Sequence, residues 1–172
     1  MKPMTHDLRK QIKIRIKNKL DISDLIRDVD IQGEDLSYAI IKDFDRVEQN
    51  LSRTIFNNCV IGEEDKVTTL SNNKMYNCQF ENTIFLGVVY LRRCDLRDSN
   101  FQFAQCQNVE WQYSDCRGAN FCEACLRLGT DYFYKAIVDE NLFRDLTKYL
   151  NIKVTMKEPE PDKTLEEKYG KG

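Results

Sequence analysis

Between Cys94 and Leu126 the chain returns every fifth residue to Leu, Phe, Cys or Trp: Leu96, Phe101, Cys106, Trp111, Cys116, Phe121 and Leu126. Two positions before each stands a small residue: Cys94, Ser99, Ala104, Val109, Ser114, Ala119 and Ala124. A helix shows one face every 3.6 residues and a strand every 2, so a period of five belongs to neither and describes a turn of something larger. An earlier block follows the same rule with lapses, centred on Ile31, Leu36, Ile41, Leu51, Phe56 and Ile61, with Ala39, Thr54 and Cys59 two before; Arg46 breaks it. A third block, shifted by one, is centred on Leu70, Met75, Phe80, Phe85 and Tyr90, with Thr68, Cys78, Thr83 and Val88 as small partners.

The segments ANFCE (119–123), CDLRD (94–98) and SNFQF (99–103) resemble the repeats of the pentapeptide-repeat family: a small residue, then Asp or Asn, then Leu or Phe, then two polar residues. The resemblance spans roughly residues 31–131. It implies an all-β solenoid, a right-handed quadrilateral parallel β-helix of about five coils in which four repeats make one coil. The central and small positions then face a narrow interior, and residues twenty apart stack about 4.8 Å from one another. Leu96 is expected under Cys116, Phe101 under Phe121 and Cys106 under Leu126. Each buried Leu or Phe contributes on the order of 1.5–3 kcal/mol, so no single residue carries the fold.

Departures from register organise the rest. The spacing fails between Ile61 and Leu70, where GEEDKV (62–67) reads as a bulge or short loop at a corner, and again at 85–93, where Gly87 suits a one-residue bulge. Asp131 at a central position would bury a charge, so the coil is expected to stop near there. The aromatics at 132–134 offer cover for the last coil. Beyond them, 138–151 reads as a capping helix with Leu142, Phe143, Leu146, Tyr149 and Leu150, which is also a candidate dimer helix, and 152–156 as a short strand. Residues 5–20 read as a helix with the stripe Leu8, Ile12, Ile16 and Leu20, although Ile12, Ile14 and Ile16 alternate as a strand would. The organisation is therefore a basic N-terminal cap (1–30), the repeat solenoid (31–131), an aromatic and helical cap (132–156) and a charged tail (157–172).

Composition narrows the function. No long apolar run and no uninterrupted apolar leader appear, so neither membrane insertion nor secretion is expected. The seven cysteines sit largely where small apolar residues would, which suits a reducing compartment and a cytoplasmic chain. Residues 1–30 hold eight Lys/Arg against five Asp/Glu, residues 31–131 ten against fifteen, and residues 132–172 eight against eight. A mildly acidic middle argues against direct nucleic-acid binding. His6 is the single histidine, and no phosphate-cradling glycine loop is present, so no enzyme activity and no cofactor or metal are expected. Cys122 and Cys125 form a C-x-x-C directed outward, read as surface thiols ahead of a zinc or redox pair.

One constellation looks like a docking face. Asp95 and Arg97 are expected beneath Asp115 and Arg117, giving a two-by-two array of opposite charges on a flat wall. The expected role is a non-catalytic interaction or structural component of a larger assembly with protein partners, of which a phage particle is one setting. The alternative implied by the family resemblance is a DNA mimic that binds DNA gyrase or topoisomerase IV, against which the interspersed arginines count.

Overall fold

The computed structural model describes residues 1–126 and 132–144. The expectations for Asp131, for Leu146, Tyr149 and Leu150, for a strand at 152–156 and for the tail at 157–172 lie outside them. At the N-terminus, α1 (His6–Lys17) is a helix rather than a strand. Thr5 caps it, accepting from the Leu8 N–H at 3.2 Å, Asp7 occupies the first turn and Arg15 and Lys17 the last, which complements the helix dipole. Ile12 is buried against the first coil, with Leu8 and Ile16 packed beside it. A short α2 (Ser23–Ile26) follows, joined to α1 by the Arg15–Asp24 pair.

The remainder is a stack of parallel rungs. β1 (Ile40–Ile41), β2 (Val60–Ile61), β4 (Ile84–Phe85), β6 (Gln105–Cys106) and β8 (Cys125–Leu126) form a five-stranded first wall, while β3 (Val67–Thr69), β5 (Val88–Tyr90) and β7 (Val109–Glu110) form the second. The third and fourth walls are ladders of single parallel bridges: Asn50, Lys74, Asp95, Asp115 and Ile137 on one, Asp35, Ile55, Gln79, Asn100 and Asn120 on the other. Four walls make the section quadrilateral, with about four turns. The repeat count suggests five. The two agree, because the five rungs of the first wall are separated by four turns.

Inside, the large positions stack. Phe56, Phe80, Phe101 and Phe121 lie ring over ring, with centroids 5.0, 4.7 and 4.9 Å apart and nearly parallel planes. That is the strand spacing transferred to side chains. Trp111 closes the column edge-on to Phe101 and Phe121, and Phe133 stacks on it at 5.8 Å. Leu142, in a helical turn that opens at residue 140, is buried over the same end, and Asp139 caps that turn by accepting from the Leu142 N–H at 2.9 Å.

The small inward position has a second task. Its hydroxyl or thiol donates to the carbonyl of a central residue one coil away: Thr54 to Ile31 at 2.8 Å, Ser99 to Met75 at 2.7 Å, Ser114 to Leu91 at 2.5 Å, Cys59 to Leu36 at 3.1 Å and Cys94 to Leu70 at 3.0 Å. The Ile31, Leu36 and Met75 carbonyls also accept the turn bond at their corners, so Ser, Thr and Cys fill space and satisfy a second lone pair there. Burial pushes the thiols of Cys59, Cys78 and Cys94 up to about 12, and those of Cys106 and Cys116 upward as well. They are therefore structural and not nucleophilic.

At most corners the second residue after the centre has positive φ, the geometry a type II turn demands; Asp43, Glu63 and Asn108, after Ile41, Ile61 and Cys106, do not. Asn58, Asn72, Asn77, Asn82 and Asp98 tolerate it; Tyr38, Arg53, Arg93, Phe103, Tyr113 and Glu123 do so against their preference.

Both slips in register meet at one corner. The first-wall offset grows from 20 residues (Ile40↔Val60) to 24 (Val60↔Ile84), and residues 62–66 leave as a loop. That loop folds onto Gly87 in the next coil, whose N-terminal neighbours form the one-residue bulge. A Cβ at Gly87 would collide with the carbonyls of Glu63 and Lys66, and one at Gly62 would lie 2.5 Å from the Leu86 oxygen. The bulge corrects one expectation: Val89 and Leu91 are fully buried, while Val88 and Tyr90 are only half-buried. The extra residue falls before Val88, so the inward pair moves forward by one.

Arg46 occupies a central position and is buried. Its guanidinium donates to the Ile26 and Val29 carbonyls and, at 2.7 Å, to Gln49 Oε1, and burial lowers its pKa against the pull of Asp28 and Asp30. Asn73, at the small position of the next coil, donates at 2.8 Å to both the Arg46 and Leu70 carbonyls and accepts from the Gln49 N–H. The repeat is broken in residue type there and kept in hydrogen bonding.

Candidate docking face

The third wall carries the charge array. Arg97 forks onto Asp95 with Nε–Oδ1 at 2.8 Å and Nη2–Oδ2 at 2.9 Å, and Arg117 repeats this on Asp115 at 2.9 and 2.6 Å. Arg97 also reaches Asp115 at 3.9 Å, linking the rungs. Each carboxylate additionally accepts the backbone N–H two residues on. Partial burial raises the Asp95 pKa, but the Arg97 fork and charge outweigh it and hold the carboxyl below its usual range. Both arginines are raised by their partners. The Arg97 guanidinium also lies 5.9 Å from the Tyr76 ring. The result is a rigid face whose charges are already paired.

Of the other residues singled out from the sequence, Leu96, Phe101, Cys106, Trp111 and Cys116 are buried, while Phe121 and Leu126 are half-buried near the C-terminal end. Leu142 is buried and Phe143 half-buried. Cys122 and Cys125 are exposed, and no group of three metal-ligating side chains occurs among the described residues. No helix of the described residues is long and apolar enough to cross a membrane.

A second surface was not visible in the sequence reading. At the corner between the second and third walls, Arg93 and Tyr113 occupy the same position in successive coils, and Lys135 follows. Tyr113 and Tyr134 meet edge to face at 5.7 Å. The Arg93 guanidinium lies 5.6 Å from the Tyr113 ring, and Lys135 Nζ 5.8 and 5.5 Å from the two rings. Beside them Arg92 stacks on Tyr90 at 3.9 Å and pairs with Glu110, Nε–Oε2 2.9 Å. The available signal was the twenty-residue step from Arg93 to Tyr113; Tyr134 and Lys135 fall outside the repeat that the sequence displays.

A family model for pentapeptide repeats (8 copies) matches residues 99–127. No curated protein matches. Among solved structures, the chain is similar to the pentapeptide repeat protein Rfr23 from the cyanobacterium Cyanothece 51142, with 21% identity, a TM-score of 0.29, and coverage of 62% of this chain and 61% of that one. The chain thus spans less than two thirds of that protein's length. It is also similar to a pentapeptide repeat protein from the Arabidopsis thaliana thylakoid lumen (17% identity, 69% and 74% covered, TM-score 0.28). A third similar structure is QnrB1, a plasmid-mediated fluoroquinolone resistance protein (16% identity, 73% and 92% covered, TM-score 0.27).

Proposed function

We propose that this chain, a β-solenoid of pentapeptide repeats, acts as a non-catalytic interaction or structural component of a larger assembly. Proteins of this repeat class are generally structural or interaction proteins. The observation that supports the reading most is the interior. It is filled by stacked side chains, and among the described residues no buried side-chain nitrogen or oxygen lacks a partner. The inward Thr54, Cys59, Cys94, Ser99 and Ser114 side chains, which would otherwise suggest chemistry, are spent on carbonyls of the neighbouring coil. What remains for function is the outside, where the third wall offers a preformed array whose side chains are ordered before any partner arrives. Protein partners fit this better than nucleic acid or membrane, in a cytoplasmic setting or in a phage particle, with the helix that opens at residue 140 as a second contact, including one to another copy.

The test is affinity capture from the native host by the wild-type chain and, in parallel, by an Arg97→Glu, Arg117→Glu variant. Assembly proteins recovered by the wild type and lost by the variant are the expected result. Equal recovery by both removes the third wall from the reading.

A DNA mimic directed at gyrase or topoisomerase IV is the second reading, and the fourth wall favours it. That wall carries Asp35, Glu81 and Glu123 and no Lys or Arg at its outward positions. Three carboxylates over this height are sparse beside duplex DNA, which carries one charge about every 1.7 Å. Inhibition of supercoiling by the purified chain would promote this reading over the first.

A further inference from the structure

We propose that the corner built by Arg93, Tyr113, Tyr134 and Lys135 is a docking site for an acidic, extended segment of a partner protein. The proposal deepens the interaction reading and rests on it, but uses different side chains from the Asp95 to Arg117 array.

Backbone conformation gives the first argument. Arg93, Tyr113 and Lys135 stand at φ of 55°, 60° and 53°, where Gly or Asn would be at ease. A bulky ring held there costs of order 1–3 kcal/mol; the same φ recurs at Tyr38, Arg53, Phe103 and Glu123, so it marks a corner, and the rings and cations together mark this one. Tyr113 gains no core burial in return: it is 39% exposed, and Tyr134 48%. The corner displays Tyr113 where the backbone alone favours Gly or Asn, with Tyr134 exposed beside it.

Charge gives the second. Arg92, Arg97 and Arg117 each have a carboxylate partner. Arg93 and Lys135 are in no ion pair among the described residues; each is held over a tyrosine ring instead. Two cations fixed by rings and not neutralised complement carboxylates brought by another chain. Tyr and Arg are also the residues on which interface energy concentrates.

Spacing gives the third. Arg93 and Lys135 lie two coils apart, about 10 Å by strand spacing, with Tyr113 between them. A polyproline II segment rises about 3.1 Å per residue and returns to the same face every third residue, so acidic side chains three apart fall about 9 Å from each other. Such a segment would set one carboxylate on each cation and lay its intervening ring or aliphatic group on Tyr113 and Tyr134, the surface that aromatic-lined grooves offer to proline-rich ligands. Glu110 on the second wall and Asp95 and Asp115 on the third lie to either side of the corner, so a continuous polyanion such as nucleic acid meets carboxylates beyond the two cations.

The experiment is a fluorescence-anisotropy titration of the full chain with labelled peptides of repeating Glu-Pro-Pro and Gln-Pro-Pro and with a single-stranded oligonucleotide. The expected result is binding of the Glu peptide that weakens with salt, weaker binding of the Gln peptide, and a roughly tenfold loss in an Arg93→Gln, Lys135→Gln variant, the sum of two exposed charge contacts. Tyr113→Asn, which relieves the backbone and removes the ring, should also lose binding while melting no lower than the wild type. Equal affinity for both peptides, no binding by the wild type, unaltered binding by the charge variant, or preference for the oligonucleotide overturns the proposal. Because Arg97 and Arg117 are untouched in this titration, its failure is separate from failure of the capture experiment.

Discussion

The two halves of the solenoid reach the same cross-section by different means. From Leu91 to Leu126 each rung repeats after 20 residues, as in Asp95↔Asp115 and Asn100↔Asn120, and the inward residues are apolar or small. From Arg46 to Phe85 the rungs repeat after 24 and 21 residues, as in Ile55↔Gln79 and Gln79↔Asn100, and an arginine and an asparagine stand inside. The walls nevertheless stay in register through both. Added residues leave at corners, where the chain already turns, and inward polar residues are accepted wherever their donors meet the carbonyls that Ser, Thr or Cys would otherwise serve. What the coil conserves is therefore a pattern of occupied volume and satisfied carbonyls, with residue type and loop length free to vary.

Substitutions can break or sharpen that contrast. In the regular half, Phe101→Ala removes the ring between Phe80 and Phe121 and the edge contact to Trp111, and is expected to cost about 3–5 kcal/mol in urea unfolding. In the irregular half, Arg46→Met keeps most of the volume but strips the Ile26 and Val29 carbonyls of their donor, and is expected to cost about 2–3 kcal/mol. A neutral Arg46→Met would mean that volume alone suffices there. Ser99→Ala is smaller, about 1 kcal/mol, because it deletes the bond to the Met75 carbonyl and the acceptor for the Cys78 N–H at 3.1 Å while leaving the packing. Smallest is the response to acid. Asp95 and Asp139 have carboxyls held below the ordinary 3.8, Asp95 by Arg97 against its burial and Asp139 by the backbone N–H groups of Leu142 and Gly118. A lowered native pKa stabilises the fold above the ordinary value and loses that contribution as pH falls through the native one. Thermal melts should thus be flat between about pH 5 and 8, decline below that range as these carboxyls protonate, and decline above the ordinary thiol value of 9.0 because the buried cysteines resist ionisation; Asp139→Asn should reduce the acid decline mainly for the C-terminal end.

The regular half was legible because side-chain size alone marks its inward positions: the pairing of Cys106 with Leu126 follows from counting fives. The irregular half was legible only in outline. Gly87 announces a bulge but not on which side of it the extra residue falls, and that single choice decides whether Tyr90 or Leu91 faces inward. Arg46 looked like a break because its hydrogen-bond partners, Ile26 and Val29, precede the visible repeat. The charge array was legible for the same reason as the core, since Asp95 and Arg97 recur twenty residues later. The tyrosine corner was not, because Tyr134 and Lys135 join it only through the Asp115↔Ile137 step of 22 residues, which no periodicity in the sequence displays.

The chain contains a single tryptophan. Trp111 is 1% exposed, edge-on to two phenylalanines and covered by Phe133 of the cap. Its emission is consequently a native optical gauge of one end of the molecule: blue while the aromatic lid is seated, red once water reaches the indole, with α1 and the first coils contributing nothing to the signal. Comparing that readout with far-ultraviolet dichroism, which sums over all coils, resolves whether the solenoid opens from its C-terminal end or melts as one body, without attaching any label.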